Sequence, residues 1–277
     1  MSAVDRVPPI RIEPSLQVPA SRVDVITGRT SRYCVAVFVI NEGEKIRGQL
    51  ARMHDLNAGI DVVVADGGST DGSLDLAYLR AQGVRALLTK TGPGKLSAQM
   101  RMALAWAMHE GYEGVIVVDG NGKDDISAIP DFVRLLQNGF DHIQGSRFIP
   151  GGHAVNTPIS RLLGLKLIHA PLMSLASRRR LTDTTNGFRA YSARLLLDDD
   201  VSVFRDIFMT YELHYHLAIE SARLPRFTTT ETPVTRTYPA TGKTPTKITP
   251  IRGNSHVLTV LFRAVAGEYR HTRSPKK

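Results

Sequence analysis

The chain has 277 residues, 42% of them hydrophobic and 22% charged, enough to bury the core of one large α/β domain. The single cysteine, Cys34, excludes an internal disulfide and suits a reducing compartment, and no His-Cys cluster has zinc spacing. A net charge of +9 and a pI near 9.8 favour anionic partners: nucleoside diphosphates, phospholipid surfaces or nucleic acid.

In chain order, residues 1–32 carry Pro8, Pro9, Pro14 and Pro19 with no sustained period. They are expected to be a tail, ordered only if it packs across the domain, and they lack the apolar core of a signal peptide. From Tyr33 short apolar runs alternate with helical periods. Val35 to Ile40 reads as a buried strand ending at Asn41-Glu42, followed by a helix with Ile46, Leu50 and Met53 on one face. Asp61 to Ala65 is a second strand, ending in Asp66-Gly-Gly-Ser-Thr-Asp71. A helix through Leu74 to Ala81 and a strand at Val84 to Leu88 follow. Lys90 to Lys95 is then a glycine-rich basic loop opening a helix with Leu96, Met100, Leu104 and Met108. Lys95, near that helix N-terminus, and Arg101 are candidates to neutralise phosphate charge, against the commoner reading of solvated side chains.

Val115 to Val118 is a continuous apolar run that stops at Asp119, followed by Gly120-Asn121-Gly122-Lys123-Asp124-Asp125. Ligands of open α/β sheets sit beyond the carboxyl ends of such strands. Asp119 is therefore placed where a diphosphate and its metal would lie, with Asn121, Asp124 and Asp125 adding hard oxygen donors. A solvated acidic loop explains this segment equally well. A helix from Ile129 to Asn138 and a strand at His142 to Ser146 complete the alternation, which implies a mostly parallel sheet.

Ile159 to Ser177 is strongly apolar between Arg161 and Arg178-Arg179-Arg180, and Pro171 makes it too broken to span a membrane. An interfacial or groove-lining helix pair and a core helix with solvated arginines fit it equally. Arg205 to Ala222 reads as a helix, Arg226 to Pro233 as an edge strand, and Val257 to Val265 as a short apolar segment before a basic end. The segment Thr91 to Ser97 lacks the full spacing of a Walker phosphate loop.

The order Asn41-Glu42, Asp66 to Asp71, Lys95, Asp119-Gly-Asn121, Gly145-Ser-Arg147 and Thr185-Asn-Gly-Phe-Arg189 resembles the family 2 glycosyltransferases of GT-A fold. The likeness runs from about Val35 to Lys247. It is strongest to the dolichyl- and polyprenyl-phosphate sugar transferase branch and to bacterial surface-glycan relatives, with Asp183 to Tyr191 the most telling stretch. The resemblance implies a Rossmann-like three-layer sandwich, a tail (1–32), a catalytic domain (33–235) and a basic loop with a short amphipathic segment (236–277). It implies Asp66 on the base or ribose with Asn41 and Glu42 lining the pocket, and Asp119 and Asn121 holding Mg²⁺ or Mn²⁺ on the donor diphosphate. Arg147 and Arg189 would face phosphates or acceptor, Glu212 would be the general base, and Arg236 and Lys247 would belong to a loop closing over the phosphates.

The activity implied is inverting transfer from a nucleotide-diphosphate sugar to a lipid-phosphate or glycan acceptor. The expected setting is cytoplasmic, peripheral on an anionic inner membrane face, with no nucleic-acid partner. The chain departs from the pattern at Asn121, where the family carries Asp, and at Gly67, where many members carry a second Asp. A nucleotidyltransferase would want a glycine-rich basic loop after the first strand, where Asn41-Glu42 stands. Nucleic-acid binding rests on charge alone, with 6% aromatics and no stacking module. A catalytically degenerate sugar-nucleotide-binding relative is the remaining alternative, suggested by Asn121.

Overall fold

The structure is a computed structural model that describes residues 16–240 and 252–271. Its centre is β2 (Tyr33–Val39), every residue of which is buried. A strand apolar on both faces must be covered on both faces, and the two packed clusters divide it by parity. Cys34, Ala36 and Phe38 face one side and Val35, Val37 and Val39 the other. On the second side lie α1 (Glu44–Leu56) and α2 (Leu76–Ala81), with α4 (Ile129–Gln137) beyond them. The first side is covered by α3 (Leu96–His109), buried along almost its whole length, with α6 (Ala170–Ser177), α8 (Glu212–Arg223) and α9 (Arg252–Ala266).

The other strands of this sheet are β1 (Ser21–Val25), β3 (Asp61–Asp66), β4 (Val84–Lys90), β5 (Gly114–Asp119), β6 (His142–Ser146), β8 (Arg189–Ser192) and β9 (Thr229–Pro233). Their order is β1-β4-β3-β2-β5-β8-β6-β9. All run parallel except β1 and β8, so the fold is the expected mostly parallel three-layer α/β sandwich. Strand order reverses between β2 and β5, which puts the ligand crevice of such sheets at the carboxyl ends of these two strands. A small second sheet pairs β7 (His153–Val155) with β10 (Thr235–Thr237) in parallel. A one-turn α7 (Ala193–Leu196) follows β8.

Three local expectations change. Ser21–Val25 lies within the stretch expected as a tail, yet it forms the antiparallel edge strand on β4; packing across the domain orders it. The helix expected from Arg205 starts only at Glu212, because the 209–212 turn is tied to the start of α3. Ser97 N–H donates to the Thr210 carbonyl at 2.8 Å and Leu213 N–H to Ser97 Oγ at 3.1 Å.

The third change concerns Ile159–Ser177, which is one continuous helical run: α5 (Ile159–Gly164), a wide π turn at Leu165–His169, and α6. Pro171 falls just after the wide π turn, which loosens the backbone ladder where the proline N–H is missing, so the helical run continues through it. An 18-residue stretch of these 19 residues has a mean hydropathy of 1.2, and by length and composition the run could cross a membrane.

Candidate active site

Sheet register sets the site's width. Asp119 lies opposite Phe38 and Asp66 opposite Val39, on the two neighbours of β2. The two carboxylates thus flank the central strand at two strand spacings, roughly 10 Å. Gly120 and Gly67 N–H groups both donate to β2 carbonyls, of Phe38 and Val39, at 2.8 Å.

Asp119 is the open member, its side chain 30% exposed. Its Oδ2 accepts from Arg236 Nη2 at 3.1 Å and from Asn121 Nδ2 at 3.3 Å. Gln49 of α1 fixes the turn beyond it, donating Nε2–H to the Asp119 carbonyl at 3.0 Å and accepting from Gly122 N–H at 2.9 Å. Gly122 has φ +71°, a conformation other residues resist. Gly187 presses on the carboxylate: a Cβ there would stand 3.2 Å from Asp119 Oδ1. Neither Gln49 nor Gly187 was singled out from the sequence; a glutamine inside a helix carries no signal, whereas the Asn-Gly pair at 186–187 marks a turn.

On the β3 side, Asp66 is buried and closed. Both its oxygens accept Ser69 N–H, and Oδ1 accepts Ser69 Oγ–H at 2.7 Å. Asn41, at φ +47°, donates its N–H to Ser69 Oγ and accepts Thr70 N–H at 2.8 Å. Asp71 accepts Gly43 N–H, and the Ser73 hydroxyl holds its carboxyl below the usual range.

Glu42 pairs with Lys45 at 3.6 Å, and Lys95 stands exposed at the start of α3 on the same rim. Geometry therefore makes Asp66 the organiser of the 66–73 loop, whose backbone and polar side chains form that wall of the crevice.

Two resemblance-based roles are corrected by side-chain geometry, those of Arg147 and Arg189. Arg147 is 6% exposed and bidentate on the fully buried Asp183, at 2.7 and 2.9 Å, with a further bond to Thr185 Oγ1. Burial opposes its charge, and the Asp183 bonds and charge overcome that and hold its pKa up. Arg189 is buried and donates to the carbonyls of Asn186, Thr184 and His214. Both arginines thus brace the 182–189 loop from inside, because carbonyl and carboxylate acceptors surround them before any phosphate arrives. Arg236 lies in β10 instead of a closing loop, bonded to Asp119 and, through Nη1, to Asp124. Lys247 lies outside the described residues.

Glu212, the expected base, is 6% exposed and already committed. Its carboxylate accepts Met209 N–H at 2.9 Å, Thr210 N–H at 2.5 Å and Thr210 Oγ1–H at 2.6 Å. Tyr211 beside it is half-buried, and its hydroxyl pKa is raised by burial and then by the charge of Asp119.

For a divalent ion, the protein offers Asp119 and the Asn121 side-chain oxygen, which already accepts Lys123 N–H at 3.2 Å. Among the described residues no group of three His, Cys, Asp or Glu side chains could hold a metal. This donor set fits an ion of the Mg²⁺ or Mn²⁺ kind that arrives with the diphosphate, since such ions take one or two carboxylates and complete their shell with phosphate oxygens.

No protein-family model matches the chain. It is 29% identical over 187 residues to an undecaprenyl-phosphate mannosyltransferase from Micrococcus luteus, covering 66% of this chain and 75% of that protein. It is 28% identical over 176 residues to a polyprenol monophosphomannose synthase from Mycolicibacterium smegmatis, covering 62% and 66% respectively. Among solved structures, it superposes on glucosyl-3-phosphoglycerate synthase from Mycobacterium tuberculosis in complex with Mn²⁺, UDP-glucose and phosphoglyceric acid. The TM-score is 0.56 at 19% identity, over 90% of this chain and 88% of that one. With the sheet order and strand-end carboxylates above, the chain has the GT-A fold, and its likeness to polyprenol-phosphate mannosyltransferases is consistent with a family 2 glycosyltransferase.

Proposed function

We propose that the chain transfers a sugar from a nucleotide-diphosphate sugar to a polyprenyl phosphate held at an anionic membrane surface, inverting the anomeric carbon. The observation that carries this reading is the half-open Asp119 carboxylate at the switch point of the sheet, set against the closed Asp66 loop one strand beyond β2. A nucleotide laid across the strand ends places its base by the 66–73 loop and its diphosphate by Asp119. Asp119 and Asn121 are the residues to hold a divalent ion there, which when bound supplies positive charge to the leaving diphosphate.

The state of Glu212 favours a phosphate acceptor over a hydroxyl. A hydroxyl needs a base to take its proton, and the carboxylate expected for that role is occupied by three donors of its own turn. A phosphate monoester is already ionised at neutral pH and attacks without one. The names of the relatives support the same acceptor class and put mannose first among the sugars to test.

The Ile159–Ser177 helix supports the membrane surface. Leu165, His169, Met173, Ala176 and Ser177 are buried against the domain, whereas Ile159, Leu163, Leu167 and Leu175 are 75%, 51%, 70% and 73% exposed. Together with exposed Pro171 they recur every four residues, with exposed Arg161, Lys166 and Arg178-Arg179-Arg180 alongside. A helix docked on one face, apolar on the other and rimmed with cations suits the plane of an anionic interface better than a span.

The test is transfer of label from UDP- and GDP-sugars, mannose first, to polyprenyl phosphate in anionic vesicles, with Asp119→Ala as control and NMR of the product's anomeric centre. A labelled lipid phosphate of inverted configuration is expected. Transfer confined to soluble hydroxyl acceptors would overturn the acceptor assignment, and a retained configuration the mechanism.

A further inference from the structure

We infer that the far edge of the sheet carries a second anion site, separate from the strand-end crevice and suited to a phosphate group. Register fixes its place. His142 opens β6 and lies opposite Thr229 of β9 on one side and Tyr191 of β8 on the other. Tyr191 is in turn opposite Val115 of β5, which precedes Asp119 by four residues. The site is therefore two strands across and four residues back from Asp119, roughly 16 Å away. His142 and Thr229 share the sheet face that α8 covers. With Ala218 and Ala222 of α8 and the turn after α6, they line a cavity of about 130 Å³, room for several waters or one phosphate group.

Two buried polar atoms on its wall lack partners among the described residues. His142 is 2% exposed, and its Nε2 has no hydrogen-bond partner. Its Nδ1 lies 3.0 Å from Ser221 Oγ, whose other acceptor, the Ala218 carbonyl, is at 3.4 Å. With that hydroxyl donating to Nδ1, the neutral ring carries its proton on Nε2 as an unused donor. Burial keeps the ring neutral, helped by the charges of Arg189 and Arg179. Thr229 is 7% exposed, and its hydroxyl is unpartnered as well. Buried polar groups rarely stay unpaired, so two on one cavity wall call for a ligand or water between them.

Cations stand at the mouth. Arg179 and Arg180 line the cavity and are exposed, and neither guanidinium has a hydrogen-bonded or ion-paired partner among the described residues. Their stems start from a pinned turn. Arg178 sits at φ +54° with its N–H on the Leu175 carbonyl, Arg179 N–H donates to the Ser174 carbonyl at 3.1 Å, and Leu181 N–H to Ser174 Oγ at 3.0 Å. One carboxylate, Glu231, also lines the cavity, but its oxygens accept the Thr182 N–H and hydroxyl at 2.8 Å and the Asp183 N–H. Two guanidiniums against one carboxylate leave the mouth positive. Water can satisfy the buried atoms, whereas a phosphate satisfies them and the guanidinium forks together. The turn ends the helix assigned to the membrane surface, so the phosphate can be free in solution or the headgroup of an anionic lipid.

The test uses the full chain in EDTA. Inorganic phosphate is titrated by calorimetry, and co-sedimentation is measured with phosphatidylcholine vesicles with and without phosphatidic acid. One variant is Arg179→Gln combined with Arg180→Gln, and a second is Thr229→Val, which removes a hydroxyl and no charge. Lys166→Gln combined with Arg178→Gln removes the same charge outside the cavity. All three should melt as wild type does. Wild type is expected to bind one phosphate. The Arg179/Arg180 variant should weaken that binding by roughly tenfold or more and Thr229→Val by about threefold, with the Lys166/Arg178 variant unchanged.

Weaker binding of Thr229→Val to phosphatidic acid vesicles identifies a lipid headgroup as the occupant; a loss confined to the calorimetric arm identifies a soluble phosphate. Phosphate affinity that is unmoved in the Arg179/Arg180 variant, or that falls equally in the Lys166/Arg178 variant, overturns the inference. So does the absence of phosphate binding to wild type together with vesicle binding that follows net charge alone.

Discussion

Replacing Arg147 by Met separates a phosphate ligand from a structural brace. The substitution keeps the length of the buried stem and removes the guanidinium, so Asp183 Oδ2 loses its 2.7 Å bond and Oδ1 its 2.9 Å bond. The Arg147 N–H at 3.2 Å and the Thr185 N–H at 3.4 Å remain as weak substitutes for a carboxylate with no exposure. Breaking a buried ion pair by removing one partner costs about 3–5 kcal/mol. In a chain of this size that lowers the melting temperature by on the order of 10 °C. Circular-dichroism melting and denaturant titration read the loss, and calorimetry below the transition reads nucleotide affinity, which should stay within about threefold of wild type. Combining Arg147→Met with Asp183→Leu should recover most of the stability, because no charge is left buried. A variant as stable as wild type that has lost nucleotide affinity would refute the brace and restore Arg147 as a phosphate ligand.

Gly187→Ala places a methyl group 3.2 Å from Asp119 Oδ1 and should cut transfer by roughly tenfold while shifting the melting temperature little; normal turnover would show that the carboxylate moves aside freely. Burial lowers the His142 pKa to about 3 and the His216 pKa to about 4, with nearby arginines adding to the shift at His142. Both rings are neutral in the folded chain, whereas the unfolded chain takes up protons near pH 6.5, so stability is fully present above 6.5 and declines as pH falls toward 3. Each ring contributes about 1.4 kcal/mol per pH unit in its window, and a denaturant midpoint flat from pH 7 to 4.5 would contradict this. Leu163→Glu with Leu167→Glu should abolish co-sedimentation with anionic vesicles and leave nucleotide binding intact; unchanged sedimentation would remove the helix from the interface. Cys34 is buried and its thiol pKa is pushed up by burial and by Asp61, so a thiol reagent should label it only on unfolding; rapid labelling of the native chain would place it at the surface.

Strand and helix identities were legible where periodicity and burial coincide. The runs at 35–40, 61–65, 84–88 and 115–118 are uninterrupted because both sheet faces are covered, and each became a strand of the parallel sheet. The carboxylate ending the last of them could be placed at the ligand edge from topology alone, since parallel strands present their carboxyl ends on one side. The motif order through Asp183 to Tyr191 was likewise enough to point to the family.

What the sequence by itself determined, then, is the class of sheet, the strand-end position of Asp66 and Asp119, and the resemblance to the family 2 glycosyltransferases. Which charged groups are free to act was decided by the tertiary structure. Arg147, Arg189 and Glu212 look like site residues in a string of letters, and folding gives each its partners in Asp183, three carbonyls and the Thr210 turn. Arg236 and Asp119 stand 117 positions apart and meet at 3.1 Å. Residue type determines what a side chain can bind, but its nearest acceptor after folding determines what it does bind, and that neighbour is supplied by sheet register and packing, which local sequence does not encode.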